Sequence, residues 1–461
     1  MQRGRGIGFL RAMQEGRATV HALLYDCITS DPRFDSQIEE RADYYARLVL
    51  LTGLGLAPLE HYLRTVPHDR LDWEAALTIQ TLGRLAQLGN SAAVPLLRDY
   101  VSYGAKWDYA LQQLAELTEP GATVGLPEVI CARFETGTLL ENSTAYDLYS
   151  TPAEQALWKK WSADNPCIAR LLAEVEQIEA TRAQTYPRQK RPAYEEMSVE
   201  ELLATVGRQQ WGWVTAAELV EAKATANDEH TLVAAFSKAN PFAWYAALRG
   251  LEALGRAEVL YPQILEQSVA RLDSLPQANG PHIREVRPIT HTLVLLPPAM
   301  TLPIARAWFN QENRHKESVA EDLLEQHATA EDYPMVLRVW TKHIEAAEDI
   351  DTYYTCSLLD ILSRFRDIGP VPYVERVFIE SGYTLARYRA AGAMQANAPQ
   401  LFAETYAYEC LWDCAEETRQ LGCESVSLDV PGARQRLQAM ADDPLESVRE
   451  AARHRVVSAD L

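Results

Sequence analysis

Cysteine is scarce in this chain. Seven thiols among 461 residues, an odd number, are too few and too scattered for a secreted disulfide scaffold. The expectation is reduced thiols in a cytoplasmic protein. Long apolar runs are also missing: stretches such as Leu48–Leu51 and Leu293–Pro298 fall far short of the roughly 20 residues that cross a bilayer. Behind Arg3, Arg5 and Arg11 no continuous apolar segment follows, because Glu15, Arg17 and His21 interrupt it; no secretory signal and no membrane association are expected. Positive charge is the third deficit. Against 64 acidic residues stand 44 basic ones, a net charge of −20. Such a field repels phosphate backbones, so nucleic acid is an unfavourable partner, although a local basic groove is still allowed.

Catalytic signatures are absent as well. The chain has no GxSxG, Walker lysine, kinase signature, HExxH or paired CxxC. Serine, histidine and aspartate are too dispersed to suggest a triad. His315 and His327 sit among polar residues, as on a solvated face. Gly4, Gly6 and Gly8 lie in GRGIG, but a dinucleotide loop needs a preceding strand, so this stretch reads as a flexible N-terminal segment. No catalytic residue, metal site or cofactor is assigned, and the chain reads as non-enzymatic.

What is present is a folded composition, 47% hydrophobic and 23% charged, and internal repetition. Residues 73–85, WEAALTIQTLGRL, and 244–256, WYAALRGLEALGR, share Trp, Ala-Ala-Leu and Leu-Gly-Arg, the last shifted by one residue. Apolar steps of three and four predict helices, not strands. Residues 94–111 and 371–390 both open with Val-Pro, as at a helix start, and both run to a glycine, Gly104 or Gly382, that ends the helix. Upstream of each lies another amphipathic helix, ending near Gly89 or Gly369. The unit is helix, short turn, helix.

Residues 442–457 read DDPLESVREAARHRVV. Asp-Pro followed by Val-Arg-x-Ala-Ala resembles the HEAT repeat, and Arg387-Tyr388-Arg389-Ala390-Ala391 is similar to its second half. The resemblance covers about half the chain. It implies an all-α fold, a right-handed α-solenoid of HEAT-like helix pairs, in which aspartate and arginine tie neighbouring repeats and small alanines allow close packing. At about 40–47 residues per unit there is room for roughly ten.

YPRQKRPAY at Tyr186–Tyr194 breaks the pattern with two prolines and three cations. The expected organisation is an N-terminal array over 1–186, a linker or exposed loop over 187–197, and a C-terminal array over 198–461. Ser198-Val199-Glu200-Glu201 forms a capping box that opens the latter.

Five residues are candidates for binding. Trp211 and Trp213 flank Gly212, and residues two apart cannot both face one helical core stripe, so one is free to anchor a partner. Asp413, Glu416 and Glu417 form an acidic cluster, and Asp442, Asp443, Glu446 and Glu450 form another. On a curved face they would select a basic partner; otherwise they form a solvated helix face. Cys410, Cys414 and Cys423 read as buried thiols of a helix pair, with no metal. Asp108 between Trp107 and Tyr109 is similar to the aromatic-flanked aspartate of HEAT-like DNA glycosylases, which act on alkylated bases. The acidic chain and the lack of a basic run depart from that family. HEAT-like bilin lyases are a further class, which no residue here selects. The leading expectation is a protein-interaction scaffold or adaptor with an acidic solenoid surface and a basic protein partner.

Overall fold

The computed structural model describes residues 1–14, 17–36, 39–66, 74–118, 121–136, 151–185, 193–206, 212–238, 240–276, 283–443 and 445–459. Among them the regular structure is α-helix with short 3-10 turns, and there is no β-strand. The fold is all-α. No described helix is long and apolar enough to cross a membrane.

Local chemistry sets many helix starts. Ser198 caps Val199–Thr205 through the expected box: its hydroxyl accepts from the Glu201 amide, and the Glu201 carboxylate accepts from the Ser198 amide. Thr151 does the same for Pro152–Asp164, with proline at the first helical position. The two Val-Pro copies diverge. Pro95 lies inside helix Ala93–Tyr103, whereas Pro372 precedes helix Val374–Glu380. Gly104 does end its helix, but at an ordinary φ of −69°. What requires glycine there is the Tyr100 ring, which a β-carbon would overlap.

Two compact units divide the chain. Unit 1 holds Met1–Gln189, Arg376–Ala391 and Pro399–Leu461; unit 2 holds Lys190–Glu375 and Gly392–Ala398. The first boundary falls within the expected linker, of which 187–192 lie outside the described residues. The array expected over 198–461 is not one unit, because most of the last 86 residues, from 376 to 461, pack with the N-terminal segment.

In unit 2, helices Trp213–Lys223, Pro241–Ala253, Ile283–Leu295, Arg314–His327 and Tyr353–Leu362 pack each against the next, forming one layer. Helices Glu229–Ala235, Tyr261–Ser274, Pro298–Trp308 and Tyr333–Ala346 alternate with them and back that layer. The surface helices bury one stripe against their neighbours, whereas Pro241–Ala253, with Ala243 through Leu248 all buried, is enclosed on most sides. Trp244 is buried in this core; its repeat counterpart Trp73 lies outside the described residues. Neither histidine lies on the solvated face that the polar neighbours suggested: His315 is buried and His327 half-buried. His315 is 7% exposed with Nε2 2.9 Å from the Pro276 carbonyl, and His327 Nε2 lies 3.1 Å from that of Val294.

The N-terminal part of unit 1 is layered in the same way. Ala42–Thr52, Glu74–Gln87, Trp107–Ala115 and Pro152–Asp164 pack in succession, backed by Ala93–Tyr103, Leu126–Glu135 and Pro166–Thr185. The GRGIG segment is not a flexible tail, because Gly4, Gly6 and Gly8 are all buried. The Gly4 carbonyl accepts from the Cys414 amide at 2.9 Å. Arg5 grips Glu409 through two bonds of 2.8 and 2.9 Å, and the Tyr44 hydroxyl donates to the Arg5 carbonyl. Glycine is required at Gly4, where φ is +71° and a β-carbon would overlap Cys414 Sγ.

Deeper in unit 1, charges are paired in the core. Arg41 meets Glu39 at 2.6 Å, both side chains fully buried. Arg387 clamps Asp413 with two bonds of 3.0 Å. Burial disfavours the Arg387 cation, but Asp413 beside it more than offsets this and the pKa is raised. Truncating one partner strands the other charge. Arg387→Ala is expected to destabilise unit 1 by about 3–5 kcal/mol, while Arg387→Met with Asp413→Leu recovers most of the loss. Urea unfolding followed by circular dichroism measures both, and a single-variant loss below about 1 kcal/mol would contradict the pairing.

Candidate functional site

A groove of about 480 Å³ opens in unit 1. One wall comes from helices Ala42–Thr52, Glu74–Gln87 and Trp107–Ala115, and the other from helix Glu416–Ser425 and its neighbours. Asp43, Glu416 and Glu417 stand in the first turns of their helices, where the backbone dipole favours a carboxylate. Glu40 and Glu116 complete the acidic lining; Gln80, Gln112 and Gln113 add amides. Gly83 leaves room for the Gln113 side chain, which a β-carbon would overlap.

Among the described residues two cations, Arg84 and Arg419, line the groove, and both are already engaged. Arg84 lies 3.8 Å from Asp43, which Arg47 also grips at 2.7 Å. Arg419 donates to the carbonyls of Asp413 and Cys414 at 3.0 and 2.8 Å and lies 3.7 Å from Asp443. Glu416 accepts from the Ser447 hydroxyl. Among the described residues no ion pair reaches Glu40, Glu116 or Glu417. The lining therefore carries unanswered negative charge, and it can accept hydrogen bonds from guanidinium or ammonium groups. Cys414 also borders it, but burial and then Asp413 push its thiol up to about 11, so it stays protonated near neutrality.

The expected binding residues fare differently. Glu416 and Glu417 line the groove, half-buried and exposed respectively. Asp413 is not a surface acid: at 3% exposure it is the buried partner of Arg387. Its neighbour in the second acidic cluster, Asp443, is buried beside Arg419. Trp213 is not an exposed anchor either. It is 9% exposed and meets Tyr245 and His291 edge-on at 5.3 and 5.2 Å. Trp211 lies outside the described residues. Trp107 and Asp108, 1% and 3% exposed, face the interior of unit 1, where the Trp107 ring meets Trp158 at 6.4 Å. Tyr109, half-buried, lies under the Lys106 ammonium at 5.7 Å. These three do not form the open aromatic-flanked aspartate that base excision would need. Cys410, Cys414 and Cys423 are free, buried thiols, as the sequence suggested.

Sequence reading passed over Glu40, Asp43 and Glu116, which lie far from the Asp413–Glu417 run along the chain. It also passed over a carboxylate cluster in unit 2, on helix Arg314–His327. Burial holds Glu317 above the ordinary carboxyl range, while the Tyr354 hydroxyl donates to it at 3.3 Å. The Tyr354 ring packs edge-on to His343, whose pKa burial lowers. Glu321, 9% exposed, is pushed up to about 7 by burial, despite a hydrogen bond from Ser357 and with Glu317 adding to the rise.

That shift has a measurable sign. A carboxyl with a folded pKa above its unfolded value contributes stability that is complete below about 4.5 and is lost as pH rises through about 7. The loss is on the order of 3 kcal/mol over that interval. Unit 2 should therefore weaken from pH 4.5 to 7.5 in chemical unfolding, and Glu321→Gln should flatten this component; an unchanged pH profile in the variant would refute it. No protein-family model, no curated protein and no solved structure matches the chain.

Proposed function

We propose that this chain is a non-enzymatic adaptor: a right-handed α-solenoid of HEAT-like helix pairs whose acidic groove holds a basic segment of a protein partner. One observation carries the binding part. Glu40, Glu116 and Glu417 line a groove in which both arginines are already engaged. A partner supplying lysine or arginine would meet carboxylates without first displacing an internal cation.

The HEAT-like part is supported by a recurring bond. Arg306 pairs with Asp332, and Arg387 with Asp413, each across 26 residues. Arg419 adds the Asp443 link, and Ala390, Ala391 and Ala452 are fully buried. Paired helices in two layers cannot hide their apolar faces singly, so neighbours must stack. Seven free thiols suit a reducing compartment such as the cytoplasm.

The test uses a labelled arginine- and lysine-rich peptide and fluorescence anisotropy. Binding is expected at low salt and should weaken as salt rises. Glu40→Lys with Glu417→Lys should weaken it by about tenfold or more. Equal affinity in the variant, or affinity indifferent to salt, would remove the acidic groove as the binding site.

A further inference from the structure

Cys131 and Cys167 are 36 positions apart in sequence, and the fold gathers them at one point of unit 1. Cys131 is on helix Leu126–Glu135 and Cys167 is at the second position of helix Pro166–Thr185, two helices in direct contact. One carboxamide joins them. Asn165 Oδ1 accepts from the Cys131 thiol at 3.7 Å, from the Cys167 amide at 3.0 Å and from the Ile168 amide at 3.3 Å. The exposures of the two cysteines differ: Cys131 is 8% exposed, Cys167 is half-buried, and both are free.

We propose that Cys131 and Cys167 form a peroxide-sensitive dithiol that closes to an intramolecular disulfide. The more accessible Cys167 sulfur attacks one peroxide oxygen, forming an S–O bond as the O–O bond breaks and water leaves. The Cys131 sulfur then attacks Cys167, forming the S–S bond as the S–O bond breaks and a second water leaves. Two thiol protons end in the waters, and two electrons pass to the peroxide. Burial, then its Cys167 neighbour, hold Cys131 protonated, with a pKa pushed up to about 12. The greater exposure of the Cys167 sulfur assigns it the first attack, and the buried Cys131 the resolving role.

The test exposes the full-length protein to a few equivalents of hydrogen peroxide, then alkylates, digests without reductant and maps peptides by mass spectrometry. The expected product is a Cys131–Cys167 linked peptide, lighter by two hydrogen atoms and reversed by dithiothreitol. The bridge should raise the unfolding midpoint by roughly 5–10 °C. Cys131→Ser should leave Cys167 over-oxidised, and Cys167→Ser should leave Cys131 a thiol. Folding of each variant is checked by circular dichroism. If both cysteines remain alkylatable in the native protein, or if Cys167 oxidises without linking to Cys131, the proposal is overturned.

Discussion

The buried arginine–aspartate bond is the constraint on which unit 1 depends. Arg387 holds the carboxylate of Asp413, Arg419 holds the Asp413 carbonyl and lies beside Asp443, and Arg449 holds the Asp443 carbonyl. Asp413 also accepts from the amide of Ala415, and Asp443 from that of Leu445. Each aspartate thus turns the chain into the next helix and presents an acceptor to an arginine. Buried ion pairs add little net stability over apolar packing. They do penalise misregistry, because a slipped helix would leave a guanidinium in the core without a partner.

The same demand explains the opening of the sequence. The turn that precedes helix Ile7–Gln14 leaves backbone groups outside any helix, and these must find partners. Gly4 finds one in the Cys414 amide, and Arg3 and Arg5 both donate to the Ile379 carbonyl. Glycines let this segment lie against Cys414, Glu409 and Tyr44 where side chains would collide. The groove inherits its walls from this closure: Asp43 and Glu116 come from the N-terminal helices, Glu416 and Glu417 from the C-terminal ones.

Unit 2 uses the same alternation of layers with different contents. Its core holds an aromatic group of Trp213, Tyr245 and His291 from three successive helices of one layer. Arg249 lies on the Tyr245 ring and pairs with Glu221. The layering tolerates such variety because each helix contacts mainly its neighbours. A carboxylate such as Glu321 can therefore be buried, beside the half-buried Glu317, without consequence for packing several helices away.

Helicity was legible in the sequence because apolar spacing and capping are local. The period near 3.6 places Leu248 and Leu251 in the core, and Ser198-Val199-Glu200-Glu201 starts its helix within four residues. Glu416 and Glu417 were visible as acids for the same reason. Tertiary structure alone decided which acids are solvated: Asp413 and Glu417 look alike in sequence, yet one meets Arg387 in the core and the other faces the groove. It alone decided that Gly4 is buried and that residues 376–391 and 399–461 pack with the first 189. Burial depends on contacts between residues hundreds of positions apart, and no local period encodes which partner arrives there.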